Sequence, residues 1–273
     1  MNSGHPQLTP HVADHVLLPE SLDLDWDGDV AVLRINRVAK RNALDTPTVR
    51  GLEAFFSNLP SRARAVVLDA HGDHFSAGLD LAEMTSRDAF EALEHSRSWH
   101  RAFDRLEFSG VPIVTVLKGA VIGGGLELAS ATHLRVAEHG AFYALPEGQH
   151  GLFVGGGGSV RIPRLIGVHR MAELMLTGRV LTAQEGQDLG ISHQLTPAGE
   201  GLGRALELAH KVAGNSPVTN FAVIQALPRI GQSNPEVGFL MEALMAAVAG
   251  SGSDAQDRIQ AFLDGRGGRV SQQ

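Results

Sequence analysis

The 273-residue chain contains no cysteine, which removes disulfides, thiolate metal sites and a cysteine nucleophile from consideration. That absence fits a reducing compartment, and a cytoplasmic protein is expected. Dense runs of Lys or Arg are also missing. With 23 basic and 30 acidic residues the formal net charge is -7, so the basic face that a nucleic-acid partner requires is not expected. No segment reaches the roughly 20 apolar residues that span a bilayer, and Met1-Asn-Ser-Gly-His-Pro6 lacks the basic flank and apolar centre of a signal peptide. A soluble, unprocessed protein with no membrane partner follows. The phosphate loop G-x-x-x-x-G-K-[ST] does not occur, nor does G-x-G-x-x-G with an acidic residue at dinucleotide distance. Among the 13 His there is no H-E-x-x-H pair, and neither Ser76 nor Ser159 sits in G-x-S-x-G, so no metal and no serine nucleophile is expected.

What is present is an ordinary globular composition: 43% hydrophobic and 19% charged residues can bury a large core. One main domain with appended helices is the expected organisation. Residues 1–20, with three His and three Pro and no periodicity, read as a disordered arm. Leu22-Asp-Leu-Asp-Trp26 and Val30-Ala-Val-Leu-Arg-Ile35 alternate with period two around Asp27-Gly28-Asp29, which predicts a hairpin. Thr46 to Asn58 predicts a helix capped by Thr46, with Pro47 in its first turn and Leu52, Phe55 and Phe56 on one stripe. A strand is expected over Ala65–Ala70 and another within Val111–Leu117. Between them, residues 88–107 read as a helix with apolar positions at Phe90, Leu93, Trp99, Phe103 and Leu106. Gly123 to Ala131 turns helical again. This alternation indicates α/β architecture with mostly parallel, buried pairing. From about residue 168 the pattern becomes helical, with segments at 169–177, 182–188, 200–214, 217–227, 235–249 and 254–263, and the core is therefore placed at 21–200 with a helical region over 201–273.

Chemistry concentrates in three segments. Gly123-Gly-Gly-Leu-Glu127 follows a strand and opens a helix. First-turn N–H groups lack internal partners, so Gly124 can donate to an oxyanion while Glu127, three residues on, stands on a neighbouring part of the same face. The structural alternative is a first-turn acid favoured by the helix dipole, with glycines that let helix and strand pack closely. Pro146-Glu147 precedes Gly155-Gly-Gly-Gly158, a run that is either a source of N–H donors or a surface turn. In Phe75-Ser-Ala-Gly-Leu-Asp-Leu81 the N–H of Leu79 can supply a second oxyanion donor, and a loop with polar ends is the alternative. Trp99 and Phe103 share a helical face and either line a pocket or fill the core. Arg37, Lys40 and Arg41 form a small basic cluster that suits phosphates or a solvated loop.

Together these segments resemble the crotonase, or enoyl-CoA hydratase/isomerase, family. Phe75–Leu81 is similar to its F-x-A-G-x-D-[IL] element. Gly119-Ala-Val-Ile-Gly-Gly-Gly-Leu-Glu-Leu-Ala129 resembles N-G-x-x-x-G-G-G-x-E-L-A, with Lys118 where Asn or Asp is frequent. Arg41-Asn-Ala-Leu-Asp45 is similar to the early N-A-L signature, and Glu147 falls where hydratases of the family have a second glutamate. The likeness runs from about residue 22 to 263. It implies a spiral of ββα units followed by helices that trimerise, often into a dimer of trimers, so 201–273 becomes an oligomerisation region. It also implies an acyl-CoA substrate, with coenzyme A entering only as part of that substrate and no separate cofactor. The thioester carbonyl would receive the N–H groups of Leu79 and Gly124, Glu127 and Glu147 would be the catalytic pair, and Ala77, Leu79, Asp80, Leu81, Gly124 and Gly155 would contact the CoA substrate. Glu127 would activate water for attack at Cβ and Glu147 would protonate Cα. The implied activity is reversible hydration of a 2-enoyl-CoA, with isomerisation, thioester hydrolysis, carbon-carbon cleavage or acyl-CoA binding without turnover as alternatives. Gly148, where an aliphatic residue is common, and Val154, where Pro is common, depart from the family beside Glu147. Gly265-Arg-Gly-Gly-Arg269 lacks lysines frequent at that place.

Overall fold

The expected hairpin forms: Leu22–Asp27 (β1) runs antiparallel to Val30–Ile35 (β2) and the chain reverses at Gly28. The computed structural model describes residues 17–84 and 88–266, so most of the expected arm and the end of the Gly265–Arg269 segment lie outside the described residues. Thr46–Ser57 (α1) follows, but its cap is Asp45, whose carboxylate accepts from Thr48 N at 3.0 Å. Thr46, expected as the cap, is instead the first helical residue, and its N–H and hydroxyl donate to the Glu83 carboxylate at 2.9 and 2.8 Å.

Ala65–Ala70 (β3), Ile113–Leu117 (β4), Leu134–Glu138 (β6) and Gln194–Thr196 (β9) extend β2 in parallel, giving the order β1-β2-β3-β4-β6-β9. A second sheet of Ala120–Ile122 (β5), Phe142–Ala144 (β7) and Leu181–Thr182 (β8) has the order β5-β7-β8. Strand parity assigns the two faces of the larger sheet to different cores. Ala31, Leu33, Ile35, Val66 and Leu68 point into the main core with Phe55, Phe103 and Leu126. Their alternates Val30, Val32, Val67, Val114 and Val136 are covered by Ala205, Leu206, Ala209 and Ala213.

Those last four residues belong to Gly201–Ala213 (α7), which is thus a layer of the sheet fold. The remaining helices are Ala89–Glu107 (α2), Gly124–Ser130 (α3), Gly158–Ile166 (α4), Val168–Thr177 (α5), Ala183–Asp188 (α6), Pro217–Phe221 (α8), Leu227–Ile230 (α9), Pro235–Ser251 (α10) and Ser253–Leu263 (α11). Asp88 and Glu91 close a capping box at the start of α2. The single helix expected at 217–227 is interrupted by a π turn over Ala222–Ala226, directly ahead of Pro228, which has no N–H to continue the ladder. α10 and α11 leave Phe239, Leu240, Leu244, Phe262 and Leu263 exposed. No described helix is long and apolar enough to cross a membrane.

Candidate active site

Residues 75–80 run as an extended strip between two neighbours. On one side Ser76 N–H donates to Ala120 O at 2.9 Å and receives Ile122 N–H on its own carbonyl at 3.1 Å. On the other, Leu44 N–H donates to Gly78 O at 2.7 Å and Leu44 O accepts Asp80 N–H at 2.9 Å. In a parallel bridge of this kind Leu44 uses the groups of residues 78 and 80, so those of Leu79 face the opposite way. Leu79 and Gly124 both line the same cavity, and Leu79 N lies 3.4 Å from the position a Cβ on Gly124 would take. Gly124 opens α3, where the N–H has no helical acceptor. The two donors expected from the sequence are therefore neighbours facing one space. A side chain at Gly124 has no room, because its Cβ would stand 2.7 Å from the Trp99 ring.

The strip is anchored by Asn42 and Arg37, whose partners the sequence did not show. Buried Asn42 donates to His71 O at 2.8 Å and His74 O at 2.7 Å while its Oδ1 accepts Arg37 N–H at 2.8 Å, which accounts physically for the Asn-Ala-Leu element. Arg37 grips Asp80 at 2.8 Å and Asp45 at 3.0 Å. Its guanidinium holds the Asp80 carboxyl below the ordinary carboxylate range. Arg37 is thus engaged inside the loop, and Asp80 is turned to it and does not line the cavity, whereas Lys40 and Arg41 are exposed.

Glu127 is 3% exposed, and its Oε1 accepts N–H groups from both Gly156 and Gly158 at 2.8 Å. Burial pushes its carboxyl above the ordinary range, and the N–H groups of Gly158, Gly156 and Gly155, with the Arg161 guanidinium, pull the other way. The glycine run was legible as a source of free N–H groups. That it closes on Glu127 was not, since 29 and 31 residues separate the bonded pairs. Gly158 opens α4, so the carboxylate caps the positive end of that helix.

Glu147 sits in the 3-10 turn Pro146–His150. Its Oε2 is buried with no hydrogen-bond partner among the described residues, and its carboxyl is raised above the ordinary range, chiefly by burial and further by the nearby charge of Glu127. Gly123 meets it: φ is +52°, and a Cβ there would lie 2.6 Å from Glu147 Oε1. Only glycine combines that backbone angle with that approach. Gly148, a departure from the family, has a reason of the same kind, because a Cβ would stand 2.4 Å from Met175 O where the turn abuts α5.

Both carboxylates, Leu79, Gly124, Ala77, Leu81 and Gly155 line one cavity of about 730 Å³. Trp99 forms part of its wall and Phe103 lies behind, ring centroids 5.4 Å apart, so the two aromatics divide the pocket and core roles. Val154 is a wall residue, and the exposed side chains of Leu81, Met84 and Phe153 stand at the rim. The site offers two backbone donors for a carbonyl oxygen and two carboxyl groups in unlike surroundings, an arrangement suited to enolate chemistry beside a carbonyl.

A model of the family described as enoyl-CoA hydratase/isomerase matches residues 25–272. The short-chain-enoyl-CoA hydratase of Clostridium acetobutylicum is 29% identical over 89% of this chain and 94% of its own length. The 2,3-dehydroadipyl-CoA hydratase of Escherichia coli is 31% identical over 87% and 93%. A crystal structure from Rhodopseudomonas palustris, provisionally described as an enoyl-CoA hydratase, superposes with a TM-score of 0.89 at 55% identity, covering 93% of this chain and 98% of that one. With the spiral sheets, the strip at 75–80 and the glycine-opened helix α3 in place, the chain belongs to the enoyl-CoA hydratase/isomerase, or crotonase, family.

Proposed function

We propose that the protein is an enoyl-CoA hydratase, adding water reversibly to a 2-enoyl-CoA to give a 3-hydroxyacyl-CoA. The observation that carries this reading is the pair of carboxyl groups with opposed partners in a cavity that also holds two backbone donors. Glu127, surrounded by groups that favour the anion, takes a proton from water as the oxygen bonds to Cβ. Electrons move from the double bond to the thioester oxygen, where Leu79 and Gly124 N–H groups receive the developing charge. Glu147, held toward the neutral acid by burial and by Glu127, delivers its proton to Cα. One water is added in total, and the proton left on Glu127 returns to Glu147 through solvent. Removing one such N–H donor typically costs about 3 to 4 kcal/mol of barrier.

Coenzyme A arrives with the substrate, and the chemistry needs no further cofactor. Exposed Lys40 and Arg41, beside the cavity residues Ala43 and Ala77, suit the phosphates. The exposed apolar side chains of α10 and α11 support assembly as a trimer or a dimer of trimers. The test is direct: the protein should bleach the enoyl-thioester absorbance of crotonyl-CoA or a longer homologue, with the product heavier by one water. An unchanged mass with a shifted double bond would mean isomerisation, and free CoA would mean hydrolysis. Absence of turnover across a chain-length panel would sink the hydratase reading.

A further inference from the structure

Arg161 lies in α4 outside the cavity, 7% exposed, and its guanidinium bonds three residues, two on α2 and one in the glycine run. Nη1 donates to Gly156 O at 3.1 Å, Nε to Glu107 at 2.6 Å, and Nη2 to Asp104 at 2.5 Å. Arg164 also approaches Glu107, at 3.5 Å. The guanidinium approaches Gly157 through Nη1: φ there is +95°, and a Cβ would stand 2.2 Å from that nitrogen. The carbonyl it holds is that of Gly156, the residue whose own N–H, in the preceding peptide, bonds Glu127.

We infer that Arg161 is a positioning residue for Glu127: it fixes the Gly156–Gly157 peptide, which lies between the two donating peptides, so that the N–H groups of Gly156 and Gly158 converge on one carboxylate oxygen. The inference reads turnover through the hydratase function proposed above, but its geometry is independent of it. A positive charge is also placed behind the carboxylate, and it favours the anion. Charged groups face Glu127 from each packed element. Arg161 does so from α4, and Glu147 and His150 from the 146–150 turn; α2 contributes His95 in the cavity and sets Asp104 and Glu107 on Arg161. α3 carries no charged residue other than Glu127 itself.

Two substitutions separate positioning from simple stapling of α2 to α4. Arg161→Gln keeps a donor for the Gly156 carbonyl but removes the charge. It should lower kcat by about 100-fold, the order of loss produced by a misplacement of 1 Å, leave KM little changed, and move the acid limb of the pH profile upward. Arg161→Lys keeps the charge without the planar fork, so the limb should stay in place while kcat falls by less. Melting temperatures identify folded protein. If kcat per folded molecule and the acid limb are unmoved in both variants, or in Arg161→Lys kcat is unmoved when the Gln variant does not fold, the inference is overturned. Should the wild-type protein hydrate no enoyl thioester, the functional reading fails alone. The carboxyl titration of Glu127, followed by carbon-13 NMR and assigned with Glu127→Gln, then decides: an upward move in Arg161→Gln supports the role and an unmoved midpoint overturns it.

Discussion

Glu127 is clasped by glycine N–H groups at the start of a helix and backed by Arg161, whereas Glu147 rides on a five-residue turn with one buried oxygen that has no hydrogen-bond partner among the described residues. Burial raises the carboxyl of both. The difference lies in what else each carboxyl meets: three glycine N–H groups and a guanidinium beside Glu127, and beside Glu147 a backbone N–H of its own turn, the charge of Glu127 and His150. Two like charges in one cavity push each other's titrations apart, which suits the separate base and acid roles proposed for them. Burial raises both and so does not tell the two carboxyls apart; their hydrogen-bond and charge partners do.

Glu127→Gln strikes the comparison hardest. It removes the proposed base while keeping an oxygen for Gly156 and Gly158, and kcat should fall by about 10,000-fold, the upper range for general acid-base groups, in a stopped-flow hydration assay. The same variant should lower the titration of Glu147, because the charge that repels its anion is gone; carbon-13 NMR reads this, and an unmoved Glu147 would break the coupling between the two. Glu147→Gln should lower kcat by about 100-fold with substrate binding retained. Retained turnover there removes Glu147 from the mechanism without touching Glu127.

Gly148→Ala tests the turn instead of the carboxyl. With Met175 O at 2.4 Å from the new Cβ, the turn must shift and carry Glu147 with it, and a loss of about tenfold in kcat is expected, short of that for a full 1 Å displacement. An alanine variant with full activity and an unshifted turn in a crystal structure would show the contact to be slack. The gentlest test is the pH profile of the wild type. A base must be ionised and an acid protonated, so turnover should fall as pH drops through the titration of Glu127 and fall again as pH rises through that of Glu147, both above the ordinary carboxylate range. A profile flat across that region would contradict the assignment.

Much of the fold was legible where a segment is long enough to show a period. The hairpin, α1, β3, α2 and β4 all lie where alternation, a helical stripe or a short apolar run placed them. The strands β5, β7, β8 and β9 have only two or three residues, too few for any period, and β6 is identifiable only by its pairing with β4 and β9. The stripe along α2 shows the same limit in another form. Trp99, Phe103 and Leu106 are buried as expected, yet Phe90 is 80% and Leu93 51% exposed, because periodicity names a face and not what covers it.

At the site, residue types and local order were already present in the sequence: a glutamate after three glycines, a second after a proline, and strand-following loops with N–H groups to offer. Hydrogen-bonding capacity and helix starts are local properties, so a short window carries them. Which donors meet which carboxylate was decided only by the folded chain. Gly156 and Gly158 reach Glu127 across 29 and 31 residues, and Arg161 reaches the same turn while bound to α2. The exclusion of water that raises both carboxyls likewise arises only once the cavity closes, because desolvation belongs to the packed surroundings and not to any residue alone.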